Sequence, residues 1–195
     1  MKLGCILLAA GTSQRYGTNK MLANLLGKPL IDYILSNIPI ERFDECITVV
    51  SNDEVLDRVK PYNMKIVYND NPDRGIGSSI RLGIEALSNV DACMFCVSDQ
   101  PMLTTKTITD MIDNYQEGTI YSLSHESERG NPVIFPSSVL DELANLKKGE
   151  FGTKVIYSHK DILVLHETND ETQLIDIDTH ENLLYVKSLI KQASL

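Results

Sequence analysis

The chain has 195 residues, of which 43% are hydrophobic, and its formal net charge at pH 7 is −9. This size supports one substantial hydrophobic core, so we expect a single domain over residues 1–195. The acidic balance argues against a nucleic-acid partner, because such proteins neutralise phosphates with Lys and Arg. No apolar run is long enough to cross a membrane, so a soluble, cytoplasmic protein is expected.

Short apolar runs alternate with helix-like segments over the first two-thirds of the chain, which is typical of an α/β fold with a mostly parallel sheet. Strands are predicted at Leu3–Ala9, Cys46–Ser51, Lys65–Tyr68, Ala92–Val97, Thr119–Leu123, Val133–Phe135, Ile162–Leu165 and Leu174–Ile175. Helices are predicted at Pro29–Ile38, Asp53–Val59, Ser78–Leu87, Thr104–Tyr115, Ser137–Leu146, Gly152–His159 and Thr179–Ala193. The polar segment Ser124–Asn131 is expected to be a mobile loop.

A loop rich in small and polar residues follows the first predicted strand, at Ala9–Lys20. In an open parallel sheet, ligands bind beyond the carboxyl ends of the strands, and the first loop commonly holds phosphate groups. Small residues let backbone N–H groups approach a phosphate, while Arg15 and Lys20 can neutralise its charge. The spacing of Gly11 and Gly17 matches neither a P-loop nor a dinucleotide-binding loop. An ordinary glycine-rich turn with two solvated cations is the alternative.

An aspartate, Asp99, stands at the carboxyl end of the predicted strand Ala92–Val97. A carboxylate there would face the same crevice as the first loop, and Mg²⁺ prefers such oxygen ligands when it also binds substrate phosphates. Asp99 is therefore a candidate metal ligand. The alternative is that its side chain only caps the following turn.

Two further carboxylates, Asp176 and Asp178, precede the last predicted helix. Residues two apart in extended backbone point to the same side, so one of them could complete the metal site and the other could cap the helix. The segment alone is weak, because aspartate before a helix is common.

The loop before the predicted helix Ser78–Leu87 contains Gly77, Ser78 and Ser79. Its N–H groups and hydroxyls could bind a nucleobase or sugar, although a serine N-cap explains much of the pattern without a ligand.

Cys93 and Cys96 form a Cys-x-x-Cys pair within a predicted strand. Residues an odd number apart on a strand point to opposite faces, so the two thiols would not converge on one metal ion. We expect them to be core residues.

Four motifs, in this order, resemble the MobA-like nucleotidyltransferases. The run Leu8–Leu22 resembles the signature loop, Ser98–Pro101 the metal-binding motif, Gly130–Phe135 the segment before a strand, and Asp176–Thr179 the carboxy-terminal acidic motif. Within that group the chain is most similar to the molybdenum cofactor cytidylyltransferases.

The resemblance implies a three-layer α/β/α sandwich with a Rossmann-like sheet, and transfer of CMP from CTP to the phosphate of molybdenum-charged molybdopterin, with pyrophosphate released. Ala10 looks like the CTP-preferring form of the loop. Mg²⁺ would be the cofactor, and a molybdenum hydroxylase could receive the product. The implied catalytic residues are Lys20, Arg15 and Asp99, with Asp99, Asp178 and Asp176 as metal ligands. The implied nucleotide-binding residues are Ala9, Ala10, Gly11, Thr12, Ser13, Arg15, Lys20, Gly77, Ser78 and Ser79.

Two alternatives remain open. A sugar- or polyol-phosphate nucleotidyltransferase would use the same first loop and Asp99. A non-catalytic carrier that binds a nucleotide or pterin would not need the metal site. His180 and Asn182 depart from the resembled acidic motif, which leaves open whether Asp176 or Asp178 faces the metal.

Overall fold

The computed structural model describes residues 1–11 and 19–193. Its strands are β1 (Leu3–Ala9), β2 (Asn24–Leu25), β3 (Lys28–Pro29), β4 (Glu45–Val50), β5 (Lys65–Tyr68), β6 (Ala92–Val97), β7 (Ile120–His125), β8 (Glu128–Pro136) and β9 (Leu163–Glu167). Its α-helices are α1 (Leu30–Asn37), α2 (Asp53–Val59), α3 (Ile76–Ala86), α4 (Thr105–Asn114), α5 (Leu140–Ala144), α6 (Thr153–Ser158) and α7 (His180–Ala193).

A seven-stranded sheet with the order β5-β4-β1-β6-β8-β7-β9 forms the centre of the described molecule. Strands β5, β4, β1 and β6 pair in parallel, whereas β8 is antiparallel to both β6 and β7. The strand β1 is buried along its whole length, as a strand covered on both faces must be. The parallel strands therefore end at one common edge, where the functional candidates lie.

Helices cover both faces of the sheet. One buried cluster joins the sheet to α1, α2, α4 and α7, and a second joins it to α3, α5 and α6. The α/β/α arrangement and the mostly parallel sheet confirm the predicted fold class. No helix in the described ranges has the length and apolar character that crossing a membrane would require.

Most predicted elements are confirmed within one or two residues. Thr104 caps α4 by accepting from the N–H of Thr107, and Thr179 caps α7 by accepting from the N–H of Asn182 at 3.1 Å. Cys96 belongs to one core cluster and Cys93 to the other, as alternation along β6 requires. Both are free, buried thiols.

Three sequence predictions are wrong. Leu174–Ile175 is not a strand: Leu174 ends a 3₁₀ turn that begins at Glu171, because Asp170 caps that turn through the N–H of Thr172 at 3.0 Å. The polar segment Ser124–Asn131 is mostly the β7–β8 hairpin rather than a mobile loop. The predicted helix Ser137–Leu146 divides into a 3₁₀ turn and the short α5.

Candidate active site

A crevice of about 230 Å³ opens at the carboxyl edge of β1 and β6. We call it the Lys20 crevice. Its lining residues are Leu8, Ala10, Gly11, Lys20, Met21, Pro72, Gly75, Ile76, Ser79, Val97, Ser98 and Asp99. The first loop, the β5–α3 loop and the end of β6 thus meet in one place, as the strand directions predict.

Lys20 is held by its neighbours in a short 3₁₀ turn. Asn19 caps this turn, since its side chain accepts from the N–H of Met21 at 3.1 Å. Met21 is buried in the core and anchors the turn beneath the crevice. Local sequence therefore fixes the backbone from which the Lys20 side chain extends.

The ammonium of Lys20 lies between two carboxylates. Its Nζ is 2.7 Å from Oδ2 of Asp99 and 2.9 Å from Oδ1 of Asp178. Burial disfavours the charged ammonium, but the attraction and hydrogen bonds of the two aspartates outweigh burial and raise the pKa of Lys20. Lys20 is therefore fully protonated in the metal-free protein.

One main-chain hydrogen bond and one side-chain cap position the carboxy-terminal aspartates. The N–H of Ile177 donates to the carbonyl of Asp99 at 2.9 Å, which ties the acidic segment to the end of that strand. Asn182 and Thr179 cap α7 reciprocally: Oδ1 of Asn182 accepts from the N–H of Thr179 at 3.0 Å and from the N–H of Asp178 at 3.3 Å. The cap fixes the backbone of Asp178 below its ion pair.

Asp176 lies close to Asp99 in a different environment. The residue as a whole is exposed, yet its carboxyl is desolvated by surrounding protein and repelled by Asp99, and these effects raise the pKa of Asp176 to about 6. A hydrogen bond from Gln100 opposes the shift. Gln100 is itself buried, and its Oε1 has no hydrogen-bond partner among the described residues.

The donor set fits a divalent cation that also binds phosphate. Over the described ranges, no three His, Cys, Asp or Glu side chains form a ready-made metal cage. Mg²⁺ in phosphate-transferring sites needs only one or two carboxylates, because water and substrate phosphates supply its other ligands. Asp99 and Asp178 already converge on one cation, the Lys20 ammonium.

The β5–α3 loop is divided between two surfaces. Ser79 lines the Lys20 crevice, whereas Gly77 and Ser78 line a separate pocket with Arg74, Arg81 and Lys148. A Cβ on Gly77 would lie 3.3 Å from the Cβ of Leu146, so this glycine lets α3 pack closely against the segment that follows α5.

Asn69, at the end of β5, organises this loop. Its amide Nδ2 donates to the hydroxyls of Ser78 and Ser79, at 3.0 Å in both cases, and its Oδ1 accepts from the N–H of Asn71 at 2.9 Å. Asn69 is buried. Sequence reasoning missed Asn69 and Gln100. Asn69 directly follows β5 and Gln100 lies three residues after β6, so a polar residue just beyond a strand end was the available signal.

The first loop is only partly described. Ala10 and Gly11 line the crevice, while Ala9 is buried at the end of β1. Among the described residues, none lies within 4 Å of a Cβ built on Gly11. The predicted contacts of Thr12, Ser13 and Arg15 lie outside the described residues.

The sheet is mostly parallel, and a small-residue loop, a lysine and two converging aspartates lie at its carboxyl edge. This combination defines the nucleotidyltransferase class. The family model of the MobA-like NTP transferase domain matches residues 5–163. The chain belongs to that family, which confirms the resemblance derived from its motifs.

Individual relatives are distant but similar over their full length. The chain is 27% identical to the nicotine blue oxidoreductase of Paenarthrobacter nicotinovorans, over 91% of this chain and 93% of that protein. A nucleotidyl transferase from Methanothermobacter superposes with a TM-score of 0.85 at 20% identity, over 98% of this chain and 99% of that one. The 4-diphosphocytidyl-2C-methyl-D-erythritol synthase of Anaerococcus prevotii superposes with a TM-score of 0.78 at 14% identity, over 97% and 96%. At these identities the two structures show a shared fold.

Proposed function

We propose that this protein transfers CMP from CTP to the phosphate of molybdenum-charged molybdopterin and releases pyrophosphate, with Mg²⁺ as its cofactor. The observation that carries the proposal is the Lys20 ammonium held between Asp99 and Asp178 at the mouth of a crevice lined by Ala10 and Gly11. A lysine and two carboxylates at one point suit a triphosphate with its metal ion, and membership of the NTP transferase family supports that substrate class.

The reaction needs positioning and charge stabilisation rather than a protein base. An oxygen of the acceptor phosphate attacks the α-phosphorus of CTP, a new P–O bond forms, and the bond to the β-phosphate breaks. The attacking oxygen is already anionic, so no proton must be removed. Lys20 would neutralise the departing pyrophosphate, and Arg15 is the sequence-predicted partner for the same task.

Asp99 and Asp178 are the residues that would hold Mg²⁺, and the ion would supply charge neutralisation at the reacting phosphates. Asp178 is preferred over Asp176, because Asp178 already shares a cation with Asp99 while Asp176 is paired with Gln100. Lys20 would leave the carboxylates and move to the phosphates when metal and nucleotide bind.

Support for CTP and for the pterin acceptor comes from motif resemblance. Ala10 matches the cytidine-preferring form of the loop, and the Ser98–Pro101 segment matches the molybdenum cofactor enzymes. Ser79 lines the crevice, and its hydroxyl would contact the base or the ribose. A molybdenum hydroxylase would be the receiver of the product.

Pyrophosphate release tests the proposal. The purified protein is incubated with each of ATP, CTP, GTP and UTP plus Mg²⁺, with molybdopterin, with a panel of sugar and polyol phosphates, or without acceptor. Release with CTP that requires molybdopterin and stops in EDTA is the expected result. Release that requires a sugar or polyol phosphate would identify that phosphate, instead of molybdopterin, as the acceptor. Absence of release under every condition would favour a binding-only carrier.

A redox activity is the second candidate, because the relative that is 27% identical over 91% of this chain carries an oxidoreductase name. The spacing of Gly11 and Gly17 does not match a dinucleotide-binding loop, which disfavours a nicotinamide cofactor. The test for redox activity incubates the protein with NADH or NADPH and nicotine blue and follows the absorbance of the pyridine nucleotide. We expect no pyridine-nucleotide oxidation above the enzyme-free rate.

A further inference from the structure

A pocket of about 420 Å³ lies between α3 and the segment that follows α5. We call it the basic pocket. Arg74, Gly77, Ser78 and Arg81 line one side of it, and Leu146 and Lys148 line the other. Within the described ranges, it has no lining residue in common with the Lys20 crevice. The basic pocket is therefore a separate space, which the proposed phosphate transfer does not use.

Local sequence brings the two sides of the basic pocket together. Arg74 ends the 3₁₀ turn that precedes α3, and Arg81 lies on α3 itself. Because Ser78 and Arg81 are three residues apart on a helix, they share one face of α3. Gly77 has no side chain, so the segment that carries Lys148 packs closely against that face.

The charge of the basic pocket is opposite to that of the whole chain. Arg74, Arg81 and Lys148 line it, and no Asp or Glu is among its described lining residues. The chain has 18 Lys and Arg against 27 Asp and Glu, so three cations around one pocket depart from the average composition. Arg81 lies 4.0 Å from Glu85, but both side chains are exposed, and such a pair is weak. An anion in the pocket would relieve the mutual repulsion of the three cations.

The donor groups of the basic pocket suit phosphate oxygens. Each guanidinium presents N–H groups in a planar fork that can bind two oxygens of a phosphate, and the Lys148 ammonium adds a point charge. Gly77 and Ser78 belong to the first turn of α3, which carries partial positive charge and is capped by no described side chain. A diphosphate offers more charge and more acceptor oxygens than a single carboxylate, so it matches three cations better.

We propose that the basic pocket binds a diphosphate group, which either free pyrophosphate or a nucleoside diphosphate could supply. This site is distinct from the Lys20 crevice. The proposal does not rest on the proposed function, because the lining residues of the basic pocket carry it and binding can be measured without turnover.

The test follows the amide NMR signals of the isotope-labelled protein while inorganic pyrophosphate or ADP is added in the presence of EDTA. The amides of Leu146 and Lys148 report on the basic pocket, and the amide of Gly11 reports on the crevice. We expect the Leu146 and Lys148 signals to shift saturably. A response to pyrophosphate alone would identify the free ion as the ligand, and a response to ADP as well would extend recognition to the diphosphate of a nucleotide.

Four variants locate the binding. Arg81→Gln and Lys148→Gln should each weaken pyrophosphate binding at the basic pocket about tenfold, because each removes a charged contact. Lys147→Gln is the matched control, since Lys147 is exposed like its neighbour Lys148 but does not line the pocket. Lys20→Met changes the crevice instead. Neither Lys147→Gln nor Lys20→Met should alter the affinity of the basic pocket, and thermal melts verify that all four variants fold.

Three results would overturn the proposal. The first is the absence of a saturable Leu146 or Lys148 shift at millimolar pyrophosphate, and the second is equal affinity in Arg81→Gln, Lys148→Gln and Lys147→Gln. The third is loss of these shifts in Lys20→Met, which would assign them to the crevice. Absence of pyrophosphate release in the turnover assay would not affect the binding result, so the two proposals can fail separately.

Discussion

The ammonium of Lys20 and the carboxylate of Asp99 form an ion pair of 2.7 Å although the residues are 79 positions apart in the chain. Asp178 lies 2.9 Å from the same ammonium, so one protein cation occupies the place between two carboxylates that a divalent ion would share. In the metal site that we propose, Lys20 and the ion would compete for the same two carboxylates. The ammonium offsets one of the two negative charges, and we expect it to move to the nucleotide phosphates when metal and nucleotide bind.

Lys20→Met is expected to strengthen Mn²⁺ binding in the absence of nucleotide. Removing the competing ammonium should raise the affinity about tenfold, equal to about 1.4 kcal/mol, while turnover falls because the pyrophosphate loses its cation. Electron paramagnetic resonance of free Mn²⁺ measures the affinity. Lys28→Met, at an exposed lysine of β3, is the control. An unchanged Mn²⁺ affinity in Lys20→Met would show that the ammonium does not compete with the metal.

Asp99→Asn should abolish turnover while the folded protein still binds CTP. Metal stabilisation of the reacting phosphates is worth several kcal/mol, so we expect a loss of at least about 100-fold in kcat. Isothermal titration with CTP and the pyrophosphate assay separate binding from chemistry. Asp141→Asn, an exposed aspartate on α5, should keep the wild-type rate. Wild-type turnover in Asp99→Asn would remove that carboxylate from the mechanism.

The sheet could be predicted because its signals are local. Strand β1 is a continuous apolar run flanked by a glycine-containing loop, and β5 and β6 are equally compact, so their bounds follow from composition alone. Leu174–Ile175 has the same apolar character, but Leu174 ends a 3₁₀ turn that Asp170 caps through the N–H of Thr172. Apolar character alone therefore does not distinguish a strand from a capped turn.

The residues of the candidate site also divide into those that the sequence predicts and those whose place depends on three-dimensional geometry. Lys20 and Asp99 could be predicted because β1 and β6 are parallel and their carboxyl ends meet at one edge. Asp178 follows no strand, and the N–H of Ile177 that donates to the carbonyl of Asp99 holds its segment at that edge. That Asp178 rather than Asp176 shares the Lys20 ammonium depends on the reciprocal cap by Asn182, which is a matter of side-chain geometry. The pocket lined by Phe95, Val133 and Phe135 could not be predicted from the sequence, because its lining residues come from three strands and three helices.

Asn69→Ala should weaken nucleotide binding by releasing the β5–α3 loop. The change removes both amide donors to Ser78 and Ser79 from a buried site, so we expect a loss of about 1–3 kcal/mol in the free energy of unfolding. Affinity for CTP should fall because Ser79 lines the crevice. Urea denaturation and CTP titration provide the two readouts.

The matched control is Asn145→Ala, whose exposed amide donates to the carbonyl of Asp141 at 2.8 Å. Asn145→Ala should change neither the free energy of unfolding nor the affinity for CTP by much. If Asn69→Ala lowered stability but left CTP affinity intact, the β5–α3 loop would have no part in holding the nucleotide.

Asp176→Asn should stabilise the metal-free protein at neutral pH, which is the reverse of the usual effect of removing a carboxylate. The pKa of Asp176 is raised to about 6 by desolvation and by repulsion from Asp99, whereas an unfolded aspartate has a pKa of about 3.9. The folded state therefore holds this proton more tightly than the unfolded state. The stabilising contribution of this bound proton is present below pH ~4 and is lost as the pH rises through ~6.

At pH 7.5 the ionised Asp176 costs stability, and Asn, which resembles the neutral acid, removes that cost. Because solvent screens the exposed residue, we expect a gain of about 1 kcal/mol rather than the full value of the shift. Urea denaturation in EDTA at pH 7.5, 6 and 4.5 should show the gain shrinking as the pH falls. Asp141→Asn should show no such trend. A gain that stayed constant with pH, or a loss at pH 7.5, would contradict the raised pKa and the crowding of Asp176 against Asp99 that causes it.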